Sequence, residues 1–277
     1  TSYWIPVCLC ILWSINSLYA ERQQFQPALV DKAPRVDGKL SEDVWQESKT
    51  IELTALGEYD EATPPTTVRA IYTSTALFLG FDCREPNAAG LQTGKPGRGA
   101  PWSLDSVEIF LDTDADMTDY VQLGFSAGGT WNVLFHNKPR TGSTVAGDFP
   151  FQPRLHAEGY TLEIRLPFAQ FPLSKQPLAP TWNVGFARNI RGGRDKGMHA
   201  VWQGYQMEGR HHEPRSWGDL GPFQVNLRAV GEEAAKNIGP GDWEYPSGIP
   251  DIYTPDFPAE LAPSLDWVKK ERLRISY

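Results

Sequence analysis

The sequence predicts an all-β protein, an antiparallel β-sandwich of about ten strands. A short helix near the N-terminus and an irregular C-terminal tail complete the expected fold. Two observations carry this. Short apolar runs recur along the chain, and 25 Gly and 23 Pro break them up. Within the runs, apolar and polar residues alternate, the period of a strand and not of a helix. Apolar residues make up 40% of the 277, enough to bury a sizeable core, and the formal net charge is -8. An acidic chain is a poor partner for phosphate backbones, so nucleic acid is excluded as the expected partner.

The first twenty residues, TSYWIPVCLCILWSINSLYA, carry no Asp, Glu, Lys or Arg. The apolar run from Tyr3 to Trp13 is shorter than the roughly 20 residues that a membrane-spanning helix needs. It fits a signal-peptide core with Ala20 as the cleavage position. Residues 1–20 are therefore expected to be a signal peptide, and the protein to be exported with no stable membrane span. A buried N-terminal strand is the other reading. Cys8 and Cys10 fall inside this segment, leaving Cys83, which reads as a small buried hydrophobe.

Residues 21–227 are expected to form the sandwich. In APRVDGKLSEDVWQES, Val36-Asp37-Gly38 reads as a turn, and Ser41 as the N-cap of a short helix holding Trp45. TTVRAIYTS and ALFLGFD read as a hairpin. Residues 84–102 are expected to form a polar Gly/Pro loop, long for a compact domain and hence functional or disordered. SVEIFLD, DYVQLGFSA and TWNVLFH read as a meander, followed by an edge strand near 151–157. GYTLEIRLPF, WNVGFARNI, MHAVWQGY and SWGDLGPFQVNL supply the remaining strands. Residues 228–277 are expected to be an irregular Pro/Gly-rich tail.

Alternation sorts each strand into two faces. Val107, Ile109 and Leu111 share one face, and Ser106, Glu108 and Phe110 the other. Val121, Leu123 and Phe125 oppose Gln122, Gly124 and Ser126. Val184 and Phe186 oppose Gly185, Ala187 and Asn189. The polar face is either the solvated outside of a sandwich or a concave binding face. In the second case Glu108, Gln122 and Asn189 offer hydrogen bonds to a polyol, with Gly124, Gly185 and Ala187 leaving room above the sheet.

Other features point less far. The acids of DTDAD, Asp112, Asp114 and Asp116, are a candidate Ca²⁺ turn or a solvated turn. An EF-hand is excluded, since the run lacks its glycine and its closing glutamate. His211 and His212 are adjacent, a spacing unlike zinc sites, and read as structural or as a ligand wall. Arg191, Arg194 and Lys196 in RGGRDKG read as a solvated hairpin. Glu108, Glu163 and Asp105 are the carboxylates a glycosidase pair would draw on, though alternation alone does not pair them. No nucleophile-elbow or metalloprotease motif occurs.

Taken in order, VDGKLSEDVW, VRAIYTSTALFLGFDCREP, PWSLDSVEIFLD, YVQLGFSAGG, GYTLEIRLPF, WNVGFARNI and HEPRSWGDL resemble the family 9 carbohydrate-binding modules, from about Arg35 to Leu227. The resemblance implies a sandwich that binds mono-, oligo- or polysaccharide between two tryptophans. It places the first at Trp102 and sugar-hydroxyl contacts at Glu108, Glu85 and Asn189. It also implies structural calcium in some relatives. Two positions depart from the pattern. Gly124 stands where the family has an arginine, and His211 stands near the second tryptophan, with Tyr205 an alternative far wall. The expected function is a non-catalytic sugar-binding module. The alternatives are a component of a glycoside hydrolase or a haem-binding relative, for which Met117, Met198 and Met207 are available.

Overall fold

The computed structural model describes residues 22–57, 62–136, 149–170, 180–194, 196–202 and 211–225. The expected signal segment, the tail 228–277, Tyr205 and Met207 lie outside them. Among the described residues fifteen strands occur. They are β1 (Gln24–Phe25), β2 (Ala28–Leu29), β3 (Thr50–Glu52), β4 (Thr54–Ala55), β5 (Thr66–Tyr72), β6 (Ala76–Arg84), β7 (Gly97–Arg98) and β8 (Ser106–Asp112). Then follow β9 (Tyr120–Ser126), β10 (Thr130–His136), β11 (Phe151–His156), β12 (Gly159–Pro167), β13 (Trp182–Ile190), β14 (Met198–Trp202) and β15 (Gly218–Leu220). The strands beyond the expected ten are short ones of two or three residues.

Two sheets face each other. The larger has nine strands in the order β1-β15-β13-β8-β9-β10-β7, with β14 also on β13 and β4 on β14. The smaller has six, β11-β12-β6-β5-β2, with β3 on β5. The long ladders are antiparallel, including the expected hairpin β5–β6 and meander β8–β9–β10. The residues that alternation assigned to the core fill the space between the sheets. Val107, Ile109, Leu111, Leu123, Phe125, Val184 and Phe186 meet Val68, Leu79, Phe81, Leu162 and Ile164 there. Burying side chains of this size stabilises by about 1.5–3 kcal/mol each, which is why the two apolar faces lie against each other. Among the described residues no helix is long and apolar enough to cross a membrane.

The N-terminal segment packs on the outside of the smaller sheet. Its helix is a single 3-10 turn, Asp43–Glu47, capped at Glu42 without a side-chain bond, so Ser41 is not the N-cap. The Glu42 carboxylate instead accepts from the Arg35 amide. What holds the segment is Glu163. One of its oxygens accepts from the backbone of Asp37 (2.8 Å) and Gly38 (2.7 Å), the other from the Trp45 indole (2.8 Å). Gly38 has φ +80, and a Cβ there would lie 2.8 Å from Cβ of Arg154. The VDG turn and the tryptophan are thus two ends of one clasp on a buried carboxylate.

A buried arginine ties the sheets at one end. Arg188 of β13 is 0% exposed and points inward. Its Nη1 donates to Thr66 Oγ1 (2.9 Å) and to the Arg84 carbonyl (2.8 Å). Its guanidinium lies 5.6 Å from the Tyr160 ring centroid. Cys83 is fully buried beside them, and burial pushes its thiol up to about 11. At the other edge of the smaller sheet lies β11, with Pro153 opposite Leu162.

Candidate functional site

The outer face of the larger sheet is buried and not solvated, because loops cover it. Every residue of β8, β9 and β13 is buried. One cover is the 3-10 turn Pro101–Ser103. Pro101 stands over Gly124, where a Cβ would lie 2.6 Å from Pro101 Cγ and 3.7 Å from the Trp102 ring. The other cover is the segment 211–217, whose Trp217 lies over Gly185, within 2.7 Å of where a Cβ would be. The room expected above these glycines is therefore filled by the protein's own rings. Trp217 donates to the His211 carbonyl (2.8 Å) and stacks on Phe110, with centroids 5.5 Å apart.

Between the two covers a polar row crosses four strands. Glu108 on β8 is 3% exposed and pairs directly with Gly124 on β9. Asn189 of β13 donates to Glu108 Oε1 at 2.7 Å and to Ser106 Oγ at 3.1 Å. Gln122 of β9 donates to Glu108 Oε2. Gln122 Oε1 faces His136 Nε2 of β10 at 2.6 Å. The Gln122 amide nitrogen is committed to a carboxylate, so Oε1 must accept and His136 Nε2 must carry a proton.

Histidines ring this row. His136 stacks on Tyr120, with centroids 4.4 Å and planes 12° apart. His211 and His212 pack against Phe110 at 5.9 and 4.7 Å. His199, opposite Asn189 on β14, lies 5.7 Å from His211. Four of the chain's five histidines thus meet at one place. Burial lowers the pKa of all four, that of His211 to about 4, with its His212 and His199 neighbours adding to the shift. Burial, helped by the charges of Glu213 and Glu108, pushes the Tyr120 phenol up to about 12. Trp102, His136, His199 and His211 are half-buried and His212 is exposed, while Glu108, Gln122 and Asn189 are buried.

The structure therefore brings together Trp102, Glu108, Asn189 and His211. Glu85 belongs to a different constellation, at the end of β6. Arg194 grips its carboxylate at 2.9 and 3.2 Å, Asn87 donates its backbone amide, and Arg188 stands 3.8 Å away. Here the RGGRDKG loop is more than a solvated hairpin: Arg194 holds Glu85, and Arg191 donates to the Trp102 carbonyl at 3.1 Å. Tyr120, His136, His199 and Trp217 lie beside these residues without having been expected there, and His212, read as structural or as a ligand wall, joins them. For His136 a signal existed: it continues the phase of Asn132 on β10. The glycosidase carboxylates do not assemble. Glu163 lies on the outside of the smaller sheet and Glu108 on the outside of the larger, with the core between them. Asp105 accepts from the backbone of Gln92 and Arg191.

Asp112, Asp114 and Asp116 each bring a carboxylate oxygen within 4.8 Å of the others. Asp112 is 1% exposed. Its Oδ2 accepts from Met117 N and Asn183 Nδ2, while its Oδ1 is buried without a hydrogen-bond partner. Burial and the adjoining Asp114 raise the Asp112 carboxyl to about 6. An orphaned buried carboxylate oxygen facing further acids is a donor set that fits an oxygen-seeking cation such as Ca²⁺.

The profile of the family described as carbohydrate family 9 binding domain-like matches residues 36–221, more than half of the chain. The chain belongs to this family. Solved structures agree on the fold. A family 9 carbohydrate-binding module of Caldicellulosiruptor kristjanssonii, solved with cellotriose, is 18% identical, with a TM-score of 0.52 over 72% of this chain and 93% of that one. The same organism's module solved with glucose is 19% identical, with a TM-score of 0.51 over 72% and 95%. A Bacteroides uniformis protein, described as a candidate for carbohydrate binding, is 17% identical, with a TM-score of 0.58 over 72% and 99%. The comparison with curated proteins gives no match. Within the family 9 domain of this chain, His211 stands near the position expected for the second tryptophan, its carbonyl accepting from Trp217. Gly124, in place of the expected arginine, makes way for Pro101.

Proposed function

We propose that this family 9 domain is an exported, non-catalytic module that binds saccharide at the face of the larger sheet. Trp102 would stack on a sugar ring, Glu108 and Asn189 would take its hydroxyls, and His211 would border it. The observation that carries this reading is Trp102, a half-buried indole held beside the bonded row Asn189–Glu108–Gln122. An apolar platform next to fixed polar groups is what a sugar's two kinds of surface require. Family membership and the ligands of the similar modules, cellotriose and glucose, support the substrate class. The uncharged leader-like start supports export. Asp112, Asp114 and Asp116 would hold a structural Ca²⁺ at the turn after β8.

Calorimetry with glucose, cellobiose and xylo-oligosaccharides, on the wild type and Trp102→Ala, tests it. Heat with at least one sugar, lost in the variant, is the expected result. No heat with any sugar, or equal heats for the two proteins, would overturn it.

A further inference from the structure

Glu108 is nearly fully buried. Its two oxygens meet the neutral amides of Asn189 and Gln122. Among the described residues no lysine or arginine pairs with it. Ion pairs elsewhere among the described residues go to Asp37, Asp82, Glu85, Glu158, Glu213 and Asp219. The residue directly opposite, Gly124, offers no charge. Arg191 at the rim is committed to the Trp102 carbonyl. The imidazoles within reach of Glu108, His199 and His212, are shifted toward their neutral forms by burial. A buried carboxylate without a cation is unfavourable by several kcal/mol, so a bound cationic group would relieve it.

The row also has a polarity. Asn189 spends its amide nitrogen on Glu108 and Ser106, which leaves its side-chain oxygen as an acceptor. The Gln122 nitrogen is spent on Glu108 and its oxygen on His136. Neutral His136, protonated at Nε2, keeps Nδ1 as an acceptor. Glu108 retains spare lone pairs. The row therefore offers acceptors and one negative charge, beside an indole whose face attracts cations. A metal ion fits less well. Among the described residues, the group whose ligand atoms converge within 4.8 Å is the Asp112 cluster, not Glu108 with the histidines.

We propose that the site selects saccharides bearing a free, protonated primary amine, amino sugars of the glucosamine type, with the ammonium seated on Glu108 beside Trp102. This rests on the carbohydrate-binding reading above and names its substrate class.

Calorimetry at mildly acidic pH with glucosamine, N-acetylglucosamine and glucose decides it. Glucosamine should bind at least about tenfold more tightly than glucose, a gain of about 1.4 kcal/mol. N-acetylglucosamine, which keeps the ring and loses the charge, should lack that gain. The gain should shrink with added salt, vanish in Glu108→Gln and persist in Glu213→Gln. Glucosamine binding no tighter than glucose, or a preference that survives in Glu108→Gln, overturns the proposal. If Glu108→Gln does not fold, the wild-type comparison of the three sugars decides alone. If none of them binds, the carbohydrate-binding reading falls with the proposal. If glucose binds and the amine adds nothing, only the proposal falls.

Discussion

The Trp45 indole donates to Glu163 at 2.8 Å, across 118 residues of chain, and ties the segment from Asp37 to Trp45 to the outside of the smaller sheet. The same carboxylate holds the Asp37 and Gly38 amides, so three donors depend on one side chain. Glu163→Gln keeps the shape but turns an amide nitrogen toward at least one of those donors. We expect a loss of about 1–3 kcal/mol, the cost of leaving a buried donor unpaired. A urea titration should show a lowered midpoint with an unchanged slope.

Gly124 tests the first wall. Its Cβ would stand 2.6 Å from Pro101 Cγ, so Gly124→Ala must push the Pro101–Ser103 turn, and Trp102 with it, away from Glu108. Overpacking of this kind costs about 1–3 kcal/mol. Sugar affinity should fall about tenfold or more, since stacking and hydrogen bonding then no longer coincide. The comparison is calorimetric affinity against melting temperature. Full affinity in a folded variant would separate Trp102 from the site.

The acid cluster predicts a pH-dependent calcium effect. The Asp112 carboxyl is raised from 3.8 to about 6 by burial and Asp114. Without a cation, its contribution to stability is full below 3.8 and is lost as pH rises through about 6. Calcium takes the deprotonated form and displaces that proton. Added Ca²⁺ should therefore raise the melting temperature at neutral pH, by an amount equivalent to about 2.7 kcal/mol at a hundredfold excess over Kd. The rise should fade near pH 4 and disappear in Asp112→Asn. Equal melting curves with calcium and with chelator at neutral pH would remove the site.

The histidine ring predicts acid lability. A lowered folded pKa means that the unfolded chain takes protons the native one refuses. His211 therefore costs stability progressively as pH falls from 6.5 toward about 4, and His136, His199 and His212 act in the same direction. Asp112 and Glu163, both raised mainly by burial, act oppositely, so the net slope is the sum. His211→Phe keeps a ring against Phe110 and removes one of these protons. Its melting temperature should fall less than that of the wild type over this window, measured at matched ionic strength.

Much of the fold was legible because strand alternation records burial directly. Val107, Ile109 and Leu111 could only face a core, and they do. The faces of Glu108 and Asn189 were legible for the same reason. Their burial was not, because the cover comes from loops: Pro101–Trp102 lies before the strand it roofs, and His211–Trp217 arrives about a hundred residues after β8. The histidine ring shares that difficulty, since His136, His199 and His211 are brought together only by strand order. Glu85 shows the limit of transferring a role by position. Its acid type fits a sugar contact, and its carboxylate is engaged by Arg194 and Arg188, invisible as partners in the sequence. Ser41 shows a similar limit, as a capping residue type beside a turn too short to use it.

Pro153 sits in the outermost ladder, opposite Leu162. Arg165 donates to Pro150 across that ladder, so hydrogen-bonded pairs fall at every second position from there, and the Pro153 nitrogen points outward. A strand arriving from another molecule would find a ring where it needs a donor. Leu155, 54% exposed two residues on, is the kind of side chain that invites such an arrival. The rim of the smaller sheet thus ends its own ladder, and a second copy of the chain gains no template there on which to grow.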